Sequence, residues 1–64
     1  MNLDTKKMDA AVGTACITYK VLAERTGIST CTLARIKNGH QKARPSTIGK
    51  IAKALNVKVE DLIE

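Results

Sequence analysis

Apolar side chains fall at helical spacing in several blocks of this chain, separated by residues that cap or break helices. Met8, Ala11 and Val12 share one face of a first helix, which Asp4 can cap and which runs to about Gly13. Residues 1–3 ahead of it read as frayed. Leu22 and Ala23 form the inner face of a second helix, from its N-cap Thr18 to about Thr26. Gly27 then stands where the chain must turn sharply, because glycine takes positive φ without steric cost. Ser29 caps a third helix from about Thr30 to Lys37 or Asn38, and Asn38-Gly39 is a stop signal suited to a left-handed residue. His40 to Pro45 is a basic, polar loop, and Pro45 forces Arg44 to be extended. Ser46 is placed to cap a fourth helix carrying Ile48, Ile51, Ala52 and Leu55 at helical spacing. Gly49 inside it costs roughly 1 kcal/mol relative to Ala, and either permits close packing or is simply tolerated. After a short connection at Asn56 and Val57, residues Val59 to Ile63 read as a last helical turn or two anchored by Leu62. The pattern predicts an all-α, compact domain of five helices spanning residues 1–64.

The stretch from Tyr19 to Gly39, YKVLAERTGISTCTLARIKNG, reads as a helix-turn-helix over about residues 18–38. Leu33 and Ile36 are three apart, so they share a face and can pack onto the helix that carries Leu22 and Ala23. That packing turns Thr30, Cys31, Thr32 and Arg35 outward. A helix presenting short polar groups and an arginine in this way is shaped to enter a DNA major groove.

Composition supports small helices packed closely. One Tyr and no Phe or Trp leave a core of Leu, Ile, Val, Ala and Met, near the lower size limit for a domain that stands alone. The net charge of +5 is unevenly spread. From Lys20 to Lys58 nine Lys or Arg face one acid, Glu24, a balance of +8; the two ends together carry −3. Such a field implies a polyanionic partner. Cys16, Cys31 and the single His40 have no metal-ligand spacing, so no metal site and no cofactor is implied. No paired carboxylates, nucleophile constellation or phosphate-binding glycine loop suggests an enzyme or a small-molecule site. The absence of a secretory, membrane-spanning or lipidation signal predicts a cytoplasmic protein.

The same residues resemble the Cro/CI (XRE-like) family of phage and bacterial transcriptional regulators. Leu22-Ala23, Gly27-Ile28-Ser29, Leu33, Ile36 and Asn38-Gly39 match its helix-turn-helix pattern. The likeness continues through Arg44-Pro45-Ser46, the run from Ile51 to Val57, and Glu60-Asp61-Leu62, about three quarters of the chain. Three positions depart from the family. Tyr19 stands where a phosphate-holding glutamine is usual, Lys37 replaces a common glutamate, and Val12 replaces a frequent arginine. The resemblance implies a lambda-repressor-like fold and a small Cro-like repressor bound to a double-stranded DNA operator. Because one helix-turn-helix reads only a few base pairs, a homodimer is a further expectation, formed either free or only on DNA. Val57, Val59 and Ile63, at the C-terminal end, are candidates for its interface or for ordinary core packing. The rival reading is a protein-interaction module, such as an antitoxin or anti-repressor partner, that keeps the fold without reading an operator.

Arg35 is the sharpest candidate for base contact, since arginine can pair bidentately with guanine; a phosphate contact or a solvated charge is the alternative. Thr30 and Thr32 can bond to base or phosphate, or serve only the start of their helix, and Cys31 beside them offers van der Waals contact. Lys37, Asn38, Lys42 and Arg44 should follow the sugar-phosphate rim. Tyr19 and Lys20 open the second helix, where the N–H groups favour an anion. The Tyr19 phenol either donates to a phosphate or packs against the third helix.

Overall fold

The computed structural model describes residues 2–64. Among them are four α-helices: α1 (Thr5–Thr14), α2 (Tyr19–Thr26), α3 (Thr30–Lys37) and α4 (Pro45–Leu55). The expected fifth helix is one 3-10 turn, Val59–Asp61. Its Asp61 carboxylate accepts from the Lys58 N–H at 3.3 Å, and Leu62 beyond it is fully buried.

Each helix start is a local event. Asp4 accepts from the N–H groups of Lys6 and Lys7 at 3.0 and 3.2 Å. Thr18 accepts from Val21 at 3.3 Å, and Ser29 from Thr32 at 3.1 Å. The start of α4 differs from expectation. Arg44, extended at φ −72° and ψ 155°, is the N-cap residue, and Pro45 takes the first helical position. Proline is favoured there because its missing N–H would have no partner and its φ is already helical. Ser46 therefore lies inside the first turn, and no side chain caps α4.

The helix ends share a device. After α3, the N–H of Gly39 bonds to Ile36 and that of His40 to Arg35, with Gly39 at φ 78°. Asn56 at φ 56° and Cys16 at φ 58° close α4 and α1 with the same pair of reversed bonds. Gly27, at φ 74°, ends α2 with a single bond to Ala23 at 2.9 Å. Thr26 secures this corner, donating to the Leu22 carbonyl at 2.8 Å and accepting from Ile28 N–H at 3.2 Å.

The core is a single apolar cluster. Met8 and Val12 come from α1, Leu22 and Ala23 from α2, Leu33 and Ile36 from α3, and Ile48, Ile51, Ala52 and Leu55 from α4; Leu62 closes it. Ala11 is only half-buried at its margin. Gly49 has no atom within 4 Å of where a Cβ would stand, so it serves no close helix approach. Residues 2 and 3 are paired rather than frayed, and residue 1 of that expected frayed end lies outside the described residues. Leu3 and Ile63 form an antiparallel bridge, flanked by bonds from Asp4 N–H to the Leu62 carbonyl at 2.7 Å and from Glu64 N–H to the Asn2 carbonyl at 3.0 Å. The chain ends thus pin each other beside Leu62. No helix among the described residues is long and apolar enough to cross a membrane.

Candidate nucleic-acid interface

α2 and α3 are held as a rigid pair because Leu22 and Ala23 meet Leu33 and Ile36 in the core. With those two residues inward, α3 presents Thr30, Cys31, Ala34, Arg35 and Asn38 to solvent. Cys31, Ala34, Arg35 and Asn38 are spaced i, i+3, i+4 and i+7, so they form one stripe along the helix. Ala34 is the member that sequence reasoning missed. An apolar residue passes as core, yet its offset from Cys31 and Asn38 was a readable signal of its place. Its methyl suits contact with a thymine methyl.

Thr32 is placed differently from its neighbours. It is half-buried, and its hydroxyl accepts from the Ser29 hydroxyl at 2.8 Å while its N–H is bonded to the same oxygen. On this side α3 borders a depression lined by Thr32, Gln41, Lys42, Arg44 and Thr47 above the apolar Ile28 and Ile36. Lys42 and Arg44 are exposed at its rim. The uncapped start of α4 adjoins Arg44, and the outward N–H groups of a first helical turn favour an anion. Sequence reasoning missed Gln41 and Thr47 here, because only the fold brings them to the flank of α3.

The opposite flank is formed by Tyr19, Lys20 and Lys37. Lys20 is exposed in the first turn of α2. Lys37 is exposed, and its ammonium lies 4.8 Å from the centre of the Tyr19 ring, within cation–π range. The half-buried Tyr19 donates its hydroxyl to the Asp9 carboxylate of α1. Burial first, and then the hydrogen bond and negative charge of Asp9, raise the Tyr19 pKa well above the ordinary phenol value. Of the two roles open to Tyr19, contact with the end of α3 is present in the free chain. Donation to a phosphate would require the bond to Asp9 to break.

The structure thus brings Thr30, Cys31, Arg35 and Asn38 onto one exposed face, with Tyr19, Lys20 and Lys37 on one side and Thr32, Lys42 and Arg44 on the other. No group of three His, Cys, Asp or Glu that could hold a metal occurs among the described residues, and both cysteines are free and exposed. A family model for the Cro/C1-type HTH DNA-binding domain matches residues 7–64.

The chain belongs to this Cro/C1-type family.

No curated protein and no solved structure gives a significant match. Family membership makes the chain a DNA-binding helix-turn-helix domain of a transcription regulator. The matched region takes in all of α2, α3 and α4 and the 3-10 turn.

Proposed function

We propose that this Cro/C1-type domain acts as a small Cro-like repressor that binds double-stranded DNA in a sequence-specific way, with α3 reading the major groove. The observation that carries the reading is the exposed stripe Cys31, Ala34, Arg35 and Asn38, backed by the buried Leu33 and Ile36 and flanked by cations on both sides. A helix fixed from behind by its core residues can present side chains to base edges without first paying to order its backbone. Arg35 is the residue for a guanine edge, Thr30 for base or phosphate, and Cys31 and Ala34 for van der Waals contact. Thr32, whose oxygen accepts from Ser29, keeps its hydroxyl proton for a base or phosphate and its methyl for a thymine.

Affinity comes from the flanks. Lys20 and Lys37 on one side, Lys42 and Arg44 on the other, and Asn38 at the end of the stripe follow the phosphates and set the register of α3. Two copies act on one operator, since a single helix-turn-helix reads too few base pairs to discriminate within a genome. Bound polymerase sites would be blocked by occupancy alone.

Selection of bound sites from a random duplex pool, followed by titration of the selected and a scrambled duplex, tests the reading. A recovered motif with at least about 1,000-fold preference at physiological salt supports it. Equal binding of both duplexes leaves only non-specific DNA association, and no binding to either makes the chain a protein-interaction module.

A further inference from the structure

We propose that Tyr19 is a positioning residue for Lys37: its ring, tethered through the hydroxyl to Asp9 on α1, holds the Lys37 ammonium at the end of α3 for contact with a DNA phosphate. The inference rests on the DNA-binding reading above and assigns to Tyr19 a role other than direct contact.

Three observations carry it. The Lys37 ammonium is 4.8 Å from the ring centre, although the side chain is exposed and could extend freely into water. A lysine side chain is among the most costly to immobilise, so an ammonium already resting on a ring loses less freedom on meeting a phosphate. The ring itself is fixed at two places: it packs against the core cluster, and its hydroxyl bonds to Asp9 ten residues away. Finally, a phenol has one proton to give, and here Asp9 receives it. The remaining phenol lone pairs, next to a carboxylate, do not attract a phosphate. Tyr19 therefore acts on DNA through Lys37, and Asp9 acts through Tyr19.

A double-mutant cycle separates this from direct contact. Affinity for one duplex is measured over a salt series for the natural chain and for Lys37→Ala, Tyr19→Leu, the double variant, Tyr19→Phe and Asp9→Asn. Melting curves confirm that each is folded at the assay temperature. Lys37→Ala should weaken binding and make log K less steep in log salt by about one unit. In the Tyr19→Leu background the same change should cost roughly two- to ten-fold less, the factor expected when one long side chain no longer has to be ordered on binding. Tyr19→Phe keeps the ring and Asp9→Asn keeps an acceptor, so both should retain most of that coupling.

Equal cost of Lys37→Ala in both backgrounds overturns the inference and leaves the DNA-binding reading standing. So does a Tyr19→Phe loss as large as that of Tyr19→Leu with Lys37 uncoupled, which would make the hydroxyl itself the phosphate donor. Failure of the natural chain to bind any duplex removes both. A measurement on the natural chain needs no variant to fold: the Lys37 ε-methylene protons should show an upfield ring-current shift by NMR. Random-coil values there would refute the contact.

Discussion

The left-handed residues make a prediction whose sign depends on backbone alone. Gly27 sits at φ 74°, and a Cβ built on it would meet no atom within 4 Å. Alanine at this position therefore meets no clash with neighbours, only the local conflict of Cβ with its own backbone. That conflict costs about 1–2 kcal/mol. About 0.5 kcal/mol returns because alanine restricts the unfolded chain, for a net loss of about 1 kcal/mol. Gly27→Val should lose more, since a β-branched residue is a poorer fit to positive φ. Gly49 has equally open space but lies within the helix α4, so Gly49→Ala should gain about 0.5–1 kcal/mol. Cys16 is the mirror case: a non-glycine residue already at φ 58°, where Cys16→Gly should stabilise. In a domain of this size 1 kcal/mol moves the melting temperature by about 4–8 °C, well within the resolution of a circular-dichroism melt. Gly27→Ala and Gly49→Ala must melt on opposite sides of the parent. A Gly27→Ala curve that overlays the parent, or a Gly49→Ala curve below it, would refute the reasoning.

The remaining predictions concern recognition, the core, ionisation and assembly. Arg35→Ala should cost roughly 1–3 kcal/mol on the selected duplex and relax preference at one base position, whereas Lys42→Ala or Arg44→Ala should weaken all duplexes alike and flatten the salt slope by about one unit. An unchanged sequence preference for the Arg35 variant rules out its reading role. Leu62→Ala removes a fully buried side chain at a cost of about 2–5 kcal/mol, comparable with the whole stability of so small a core, so the variant should be largely unfolded by urea titration. A melt close to the parent's would show that Leu62 is not the anchor of the chain end. The chain has one tyrosine, so the growth of tyrosinate absorbance with pH reports Tyr19 directly. Its folded pKa is raised above the ordinary 10.0, so its share of stability is complete below about pH 10 and drains as pH climbs from there toward the folded value. Tyr19→Phe should lack that alkaline loss, and coincident titration of the folded and urea-unfolded chain would contradict it. Sedimentation of the operator complex should report two chains per site; a tight one-to-one complex on a non-palindromic site would overturn the paired arrangement.

The sequence by itself determined the helix-turn-helix. The Thr18 and Ser29 caps, the Gly27 corner and the Asn38-Gly39 end are all made by residues within a few positions of one another, so local chemistry suffices to place them. The core followed for the same reason, because the spacing of Leu22, Leu33, Ile36, Ile48 and Ile51 already records which face is inward. What depends on elements meeting could not be read this way. Leu3 and Ile63 pair across the length of the chain, and neither end alone carries a sign of its partner. Asp9, Tyr19 and Lys37 come from three helices, and the hydroxyl of Tyr19 could be assigned only once α1 was seen beside it. The left-handed turn at Cys16 was hidden because cysteine advertises no such preference; closing α1 so that α2 can pack beside it imposes the turn. At Ser46 two local signals competed, and the proline ring, which fixes φ covalently, set the start of α4 ahead of a serine hydroxyl that only offers a bond. Caps and spacings are properties of a segment, whereas pairings between distant segments exist only after the core has brought them together.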